Sequence, residues 1–136
     1  MDNYLLPNMM KDELRYISVL GLAHVGDAVF ELMVRTWLCD GGVNTARKLH
    51  GQAVALVSAK AQANAAERLL PGLSGEELAV YKRGRNAHVK TSPRGSTPGQ
   101  YHASTGVEAL FGYLYLSGQT ERLNELFAMV VCASKQ

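Results

Sequence analysis

The chain is 136 residues long, 47% hydrophobic and 19% charged, with a net charge of +2. That is the composition of an ordinary soluble domain, and the bulk charge is too small to argue for any partner. One domain spanning 1–136 is the default at this length, enough to bury about two-thirds of the unfolded surface.

Met1 to Glu13 reads as an irregular lead-in. It contains Asp2, Asp12 and Glu13 and lacks the basic start and apolar centre of a signal peptide. Next comes a mostly apolar run, Val19 to Leu38, which predicts a long helix. Its length suits a membrane span, but Asp27, Glu31 and Arg35 lie inside it. A central Asp or Arg costs about 2.5–3.5 kcal/mol on insertion scales, which excludes a transmembrane reading. Leu20, Val25, Ala28, Val29, Leu32 and Met33 belong to the apolar majority, while His24, Asp27, Glu31 and Arg35 share one stripe. A carboxylate within a core helix must be paired, hydrogen-bonded or metal-bound. Two readings of Asp27 are open: a structural pair with Arg35 or His24, or a ligand. Gly26 beside it leaves room for something to approach the backbone.

The long helix stops at Asp40-Gly41-Gly42. Residues 45–70 are Ala-rich and helical, with a break expected at Gly51 and an end at Pro71-Gly72. Ser74 with Glu77 forms a capping box for a helix over 75–87. Its end, Lys82-Arg83-Gly84-Arg85-Asn86, is basic, which complements the helix dipole. The basicity continues through Lys90 and Arg94, so that five Lys or Arg residues and no acid separate Glu77 from Glu108. Residues 88–100 have loop chemistry throughout, and a basic loop of that length suits contact with a phosphate backbone. A helix over 100–116 follows, in which Glu108 is the lone carboxylate, with Ser104 and Thr105 on its face. A last helix over 120–133 carries a core stripe of Leu123, Leu126, Phe127 and Val130. Tyr101, Phe111, Tyr113 and Tyr115 read as core or subunit interface, and no strand is evident. Cys39 and Cys132 have neither disulfide-framework nor metal spacing and read as free cytoplasmic thiols. The four histidines lack zinc spacing.

The two acid-bearing helices, packed antiparallel, would bring Asp27 against Glu108. Two adjacent carboxylates repel, and a divalent cation removes the conflict.

Leu22 to Glu31 resembles the signature helix of the ribonuclease III catalytic domain, and Thr105 to Gly112 resembles its second acidic helix. Lys82 to Ala87 and Val57 to Ala63 are similar to the Mini-III subfamily, which lacks the double-stranded-RNA-binding domain. The resemblance covers about residues 15–130. It implies an all-α, dimeric domain of five to seven helices that cleaves double-stranded RNA with Mg²⁺, leaving a 5′-phosphate and maturing large-subunit ribosomal RNA. Asp27 and Glu108 match two of the family's four carboxylates and would be both catalytic and metal-binding. The other two positions hold Ala23 and Thr105, which puts a full second metal site in doubt. Lys60, Lys82, Arg83, Arg85, Lys90 and Arg94 would hold RNA phosphates. The alternatives are a catalytically inactive member of the fold that binds structured RNA, and a helical interaction protein with no RNA role.

Overall fold

The computed structural model describes residues 2–87 and 95–132. Among them the secondary structure is wholly helical: α1 (Lys11–Leu14), α2 (Val19–Asp40), α3 (Ala46–Val57), α4 (Ala59–Leu69), a 3₁₀ turn (Leu70–Gly72), α5 (Gly75–Arg85), α6 (Pro98–Leu116) and α7 (Thr120–Cys132). No helix among the described residues is long and apolar enough to cross a membrane.

The organising element is α6. From Ser104 to Leu114 it is buried on nearly every side, Glu108 alone being half-exposed. A helix apolar all round belongs in the centre of a domain, and α6 packs against α2, α4, α5 and α7. Phe111 meets Phe30 of α2 edge-to-face at 5.1 Å between ring centres, and Phe30 meets Phe127 of α7 at 6.2 Å. Leu69, Leu110, Leu114 and Leu126 close the same core. The stripe read on the last helix, Leu123, Leu126, Phe127 and Val130, is buried as expected.

Four details differ from the sequence reading. The lead-in contains the short α1, and Met9 N–H donates to the Leu116 carbonyl at 2.8 Å, tying the segment to the end of α6. The break in the Ala-rich stretch falls at Ser58, not Gly51. Ser58 adopts an extended backbone (φ −63°, ψ 154°), and its hydroxyl accepts from Ala61 N–H, which starts α4 there. Gly51 lies within α3, facing open space. The loop expected over 88–100 ends earlier, because Pro98 occupies the first turn of α6 and Thr97 and Gln100 form a reciprocal cap. Its residues 88–94, including Lys90 and Arg94, lie outside the described residues. Finally, α2 is not buried all round: Leu20, Ala28 and Leu32 are exposed, and so is Asp27.

The capping box at Ser74 and Glu77 forms as read. Glu77 does more than cap. Its carboxylate accepts from Arg122 Nε at 2.8 Å and Nη2 at 2.9 Å, and Nη2 also reaches the Gly72 carbonyl at 2.7 Å. This bidentate pair joins α5, the 3₁₀ turn and α7. Arg122 holds the Glu77 carboxyl below the usual range, against the upward push of its burial.

Candidate active site

The site is built by a close helix crossing. A Cβ placed on Gly26 of α2 would lie 1.6 Å from the Glu108 carbonyl oxygen, and one on Gly112 of α6 would lie 2.0 Å from the Leu22 carbonyl oxygen. Only glycine permits this backbone-to-backbone approach. Gly26 faces Glu108 and Gly112, whereas Leu22 faces Gly112, so the helices run antiparallel as expected. What approaches the backbone at Gly26 is therefore the other acid-bearing helix.

The crossing sets Asp27 beside Glu108. Burial pushes the Glu108 carboxyl up to about 8, reinforced by its hydrogen-bonding contact with Asp27 and by that residue's negative charge. The Gln62 amide of α4 pulls in the opposite direction. No described cation neutralises the pair. Arg35, one of the partners considered for Asp27, donates instead to Glu31 at 2.6 Å, four residues away on the same helix. His24 is exposed and lines an apolar groove. Among the described residues neither Asp27 nor Glu108 forms a salt bridge, so the structural-pair reading of Asp27 has no counterpart in the fold.

The positions without carboxylates are core positions. Ala23 is buried, and Thr105 is buried with its hydroxyl donating to the Tyr101 carbonyl at 3.0 Å. Ser104 donates to the same carbonyl at 3.0 Å. Both hydroxyls are thus committed to the backbone of α6. Among the described residues no three Asp, Glu, His or Cys side chains gather to hold an ion. A carboxylate pair without a cation suits Mg²⁺, which prefers oxygen ligands, keeps several waters and needs only one or two carboxylates.

The cations expected to contact RNA differ in placement. A Cβ on Gly84 of α5 would lie 2.9 Å from the Ala109 Cβ and 3.0 Å from the Thr105 carbonyl, so the basic end of α5 lies at the level of Glu108 on α6. His102 Nδ1 pairs with the Arg85 carbonyl at 3.1 Å and fastens that end. Lys82 and Arg83 are exposed, while Arg85 is half-buried over the Tyr81 ring, 5.9 Å from its centre. Lys60 is exposed in the first turn of α4.

Gln62 escaped the sequence reading as a site residue. The signal available was two amides, Gln62 and Asn64, in a run of alanines, and it does not reveal which of them faces the core.

Residues 20–119 match the ribonuclease III domain family. The chain is 47% identical over 107 residues to a Mini-ribonuclease 3 of Symbiobacterium thermophilum, covering 79% of this chain and 82% of that protein. It is 44% identical over 122 residues to a Mini-ribonuclease 3 of Brevibacillus brevis, covering 87% and 91%. The chain belongs to the ribonuclease III family, in its Mini-ribonuclease 3 branch. A crystal structure of a Fusobacterium nucleatum protein superposes with a TM-score of 0.81 at 31% identity, covering 90% of this chain and 98% of that one. Of the positions where the ribonuclease III resemblance expected carboxylates, Asp27 and Glu108 meet at the crossing of α2 and α6.

Proposed function

We propose that this protein hydrolyses double-stranded RNA at a divalent-metal site held by Asp27 and Glu108. Membership of the ribonuclease III family makes it an endoribonuclease. The observation that carries the site assignment is the contact of two carboxylates with no described side-chain cation paired to them, at a crossing that only glycine allows. Asp27 and Glu108 would hold a divalent cation, which would supply an activated water and offset charge developing on the phosphate. Addition of water to phosphorus with departure of the 3′ oxygen leaves a 5′-phosphate and a 3′-hydroxyl. Lys60, Lys82, Arg83, Arg85, Lys90 and Arg94 hold backbone phosphates. A-form RNA is recognised largely by shape and by phosphate and 2′-hydroxyl contacts, so the site needs no base-reading motif.

The protein acts as a homodimer, one site for each strand. An apolar groove of about 540 Å³, lined in part by Leu5, Leu6, Val25, Ala28, Leu32 and Tyr115, supports this by offering a face for a second copy. Equilibrium sedimentation at micromolar protein reads the dimer directly, and a monomer that still cuts both strands contradicts it. The substrate is precursor large-subunit ribosomal RNA, and the setting is cytoplasmic.

The lack of carboxylates at Ala23 and Thr105 favours a second reading, an inactive fold that only binds structured RNA. Incubation with a long RNA duplex, in Mg²⁺ and in chelator, separates the two. Metal-dependent cleavage supports the enzyme, and binding without cleavage supports the module.

A further inference from the structure

Gln62 is a polar side chain buried in the core. It is 1% exposed, and among the largest fully buried side chains of the described residues it is the polar one. The other buried polar side chains are satisfied: Glu77 by Arg122, and Ser104 and Thr105 by the Tyr101 carbonyl. The Gln62 Nε2 has no hydrogen-bond partner among the described residues. An unmade buried donor is costly, and an apolar side chain of the same size would fill this place without that cost. Core packing alone therefore does not account for an amide here.

What the amide faces is the candidate site. Helix α4 packs on α6, and Gln62 stands close enough to Glu108 to draw its proton affinity down. Glu108 is the less constrained of the two acids. The glycine crossing fixes the backbone of both, but a glutamate has one more rotatable bond than an aspartate and needs a further contact to hold its oxygens. Glu108 is in contact with Asp27, and the nearby Gln62 Nε2 makes no hydrogen bond of ordinary geometry among the described residues. A carboxylate that binds a metal through one oxygen has its orientation set by hydrogen bonds from outside the ligand set. With Ala23 and Thr105 in the places of two carboxylates, this chain has few other means of doing so.

We propose that Gln62 is the positioning residue of the site, its Nε2 donating to the Glu108 carboxylate when Glu108 and Asp27 share a divalent cation. The inference rests on the metal-site reading of those two residues. Gln62 itself does not ligate the ion.

The test uses Mn²⁺ as a spectroscopic probe on the full chain without RNA, with free Mn²⁺ read by electron paramagnetic resonance. Wild type should bind the ion and Asp27→Asn should not; failure of that comparison removes the metal-site reading, and this inference with it. Gln62→Met keeps the volume and removes the donor. It should bind Mn²⁺ about 10-fold more weakly, and the Mn²⁺ concentration giving half-maximal cleavage should rise with it. Its melting temperature in chelator should equal or exceed that of wild type, because an unmade buried donor has gone. If Gln62→Met does not fold, Gln62→Leu is read the same way. Mn²⁺ affinity within twofold of wild type, in a protein whose Asp27→Asn variant has lost binding, overturns the inference while leaving the metal site standing. Failure of both apolar variants to fold also overturns it, since the amide would then serve the core.

Discussion

Two glutamates of this molecule sit on neighbouring helices and meet opposite partners. Glu77 of α5 is buried against the Arg122 guanidinium and is held in its charged form. Glu108 of α6 is half-buried against the Asp27 carboxylate and is pushed toward its neutral form. Burial alone raises both; the charge opposite decides the sign. The first arrangement is complete as it stands and joins three elements. The second is an unresolved repulsion that the fold enforces, and such sites are where function concentrates.

The largest expected effect separates the two by activity. Glu108→Gln and Asp27→Asn should each lower duplex cleavage by on the order of 10³-fold, the equivalent of several kcal/mol of lost charge stabilisation. The double variant should be little worse than either single one, because ligands of one ion act as a unit. Initial rates on a long RNA duplex measure this. Retention of full cleavage by either single variant would erase the contrast between the two glutamates.

Stability should show the reverse pattern. Arg122→Ala strands the Glu77 carboxylate in the core and should cost about 3 kcal/mol, the low end for a broken buried pair because Arg122 is itself partly exposed. Above about pH 8, where Glu108 is ionised beside it, Asp27→Asn in chelator relieves a repulsion and should be as stable as wild type or more so. Urea unfolding of the two variants side by side tests the pair of expectations. A marked loss in Asp27→Asn would return that residue to a structural role.

The two glutamates should also oppose each other in pH dependence. Glu108 in the folded state titrates near 8, above its ordinary 4.5. Between those values the folded chain holds the proton more tightly than the unfolded one, so metal-free stability falls as pH rises through that window. Glu77 is shifted the other way, so its contribution is present above about 4.5 and is lost as pH falls through the lowered folded value. Wild type minus Glu108→Gln, unfolded in chelator from pH 5 to 8, should show a stability difference that moves steadily against wild type. A flat difference would mean that Glu108 ionises normally.

The smallest effect concerns the exposed pair. Arg35→Ala should cost only about 0.3–0.5 kcal/mol, as expected for a solvent-exposed pair four residues apart on a helix. A loss of several kcal/mol in thermal unfolding would mean that Arg35 supports more than Glu31.

The sequence made much of this legible, for reasons that differ by residue. An acid in a mostly apolar helix calls for a partner, and two helices carry one, so the pairing of Asp27 with Glu108 was readable in the sequence, although Asp27 itself is exposed. Which cation Asp27 lacked was not, because Arg35 is equally compatible with Glu31 on spacing. The helix break was assigned to Gly51 on propensity, yet a serine hydroxyl able to satisfy the start of α4 outweighed a glycine with no packing role. Glu77 read as a cap only, because Arg122 lies 45 residues away and local pattern carries no information at that range. Gln62 was hidden for the same reason: its meaning lies in what α4 packs against. The acidic centre follows the family resemblance at Asp27 and Glu108, while the basic contacts at Lys90 and Arg94 fall outside the described residues.

The crossing at Gly26 and Gly112 has a mechanical consequence. Because backbone rests on backbone, the spacing of the two acids is set by a close main-chain contact rather than by side chains that can repack. The helices cannot drift apart to ease the repulsion without opening the Phe30–Phe111 contact beside it. Relief must come from outside, as a proton or a cation. An ion bound there, as proposed, would meet anchors already close together, so little conformational freedom would be lost on its capture. Stiffness in the core thereby becomes readiness at the surface, and a single methyl group at either glycine would blunt it.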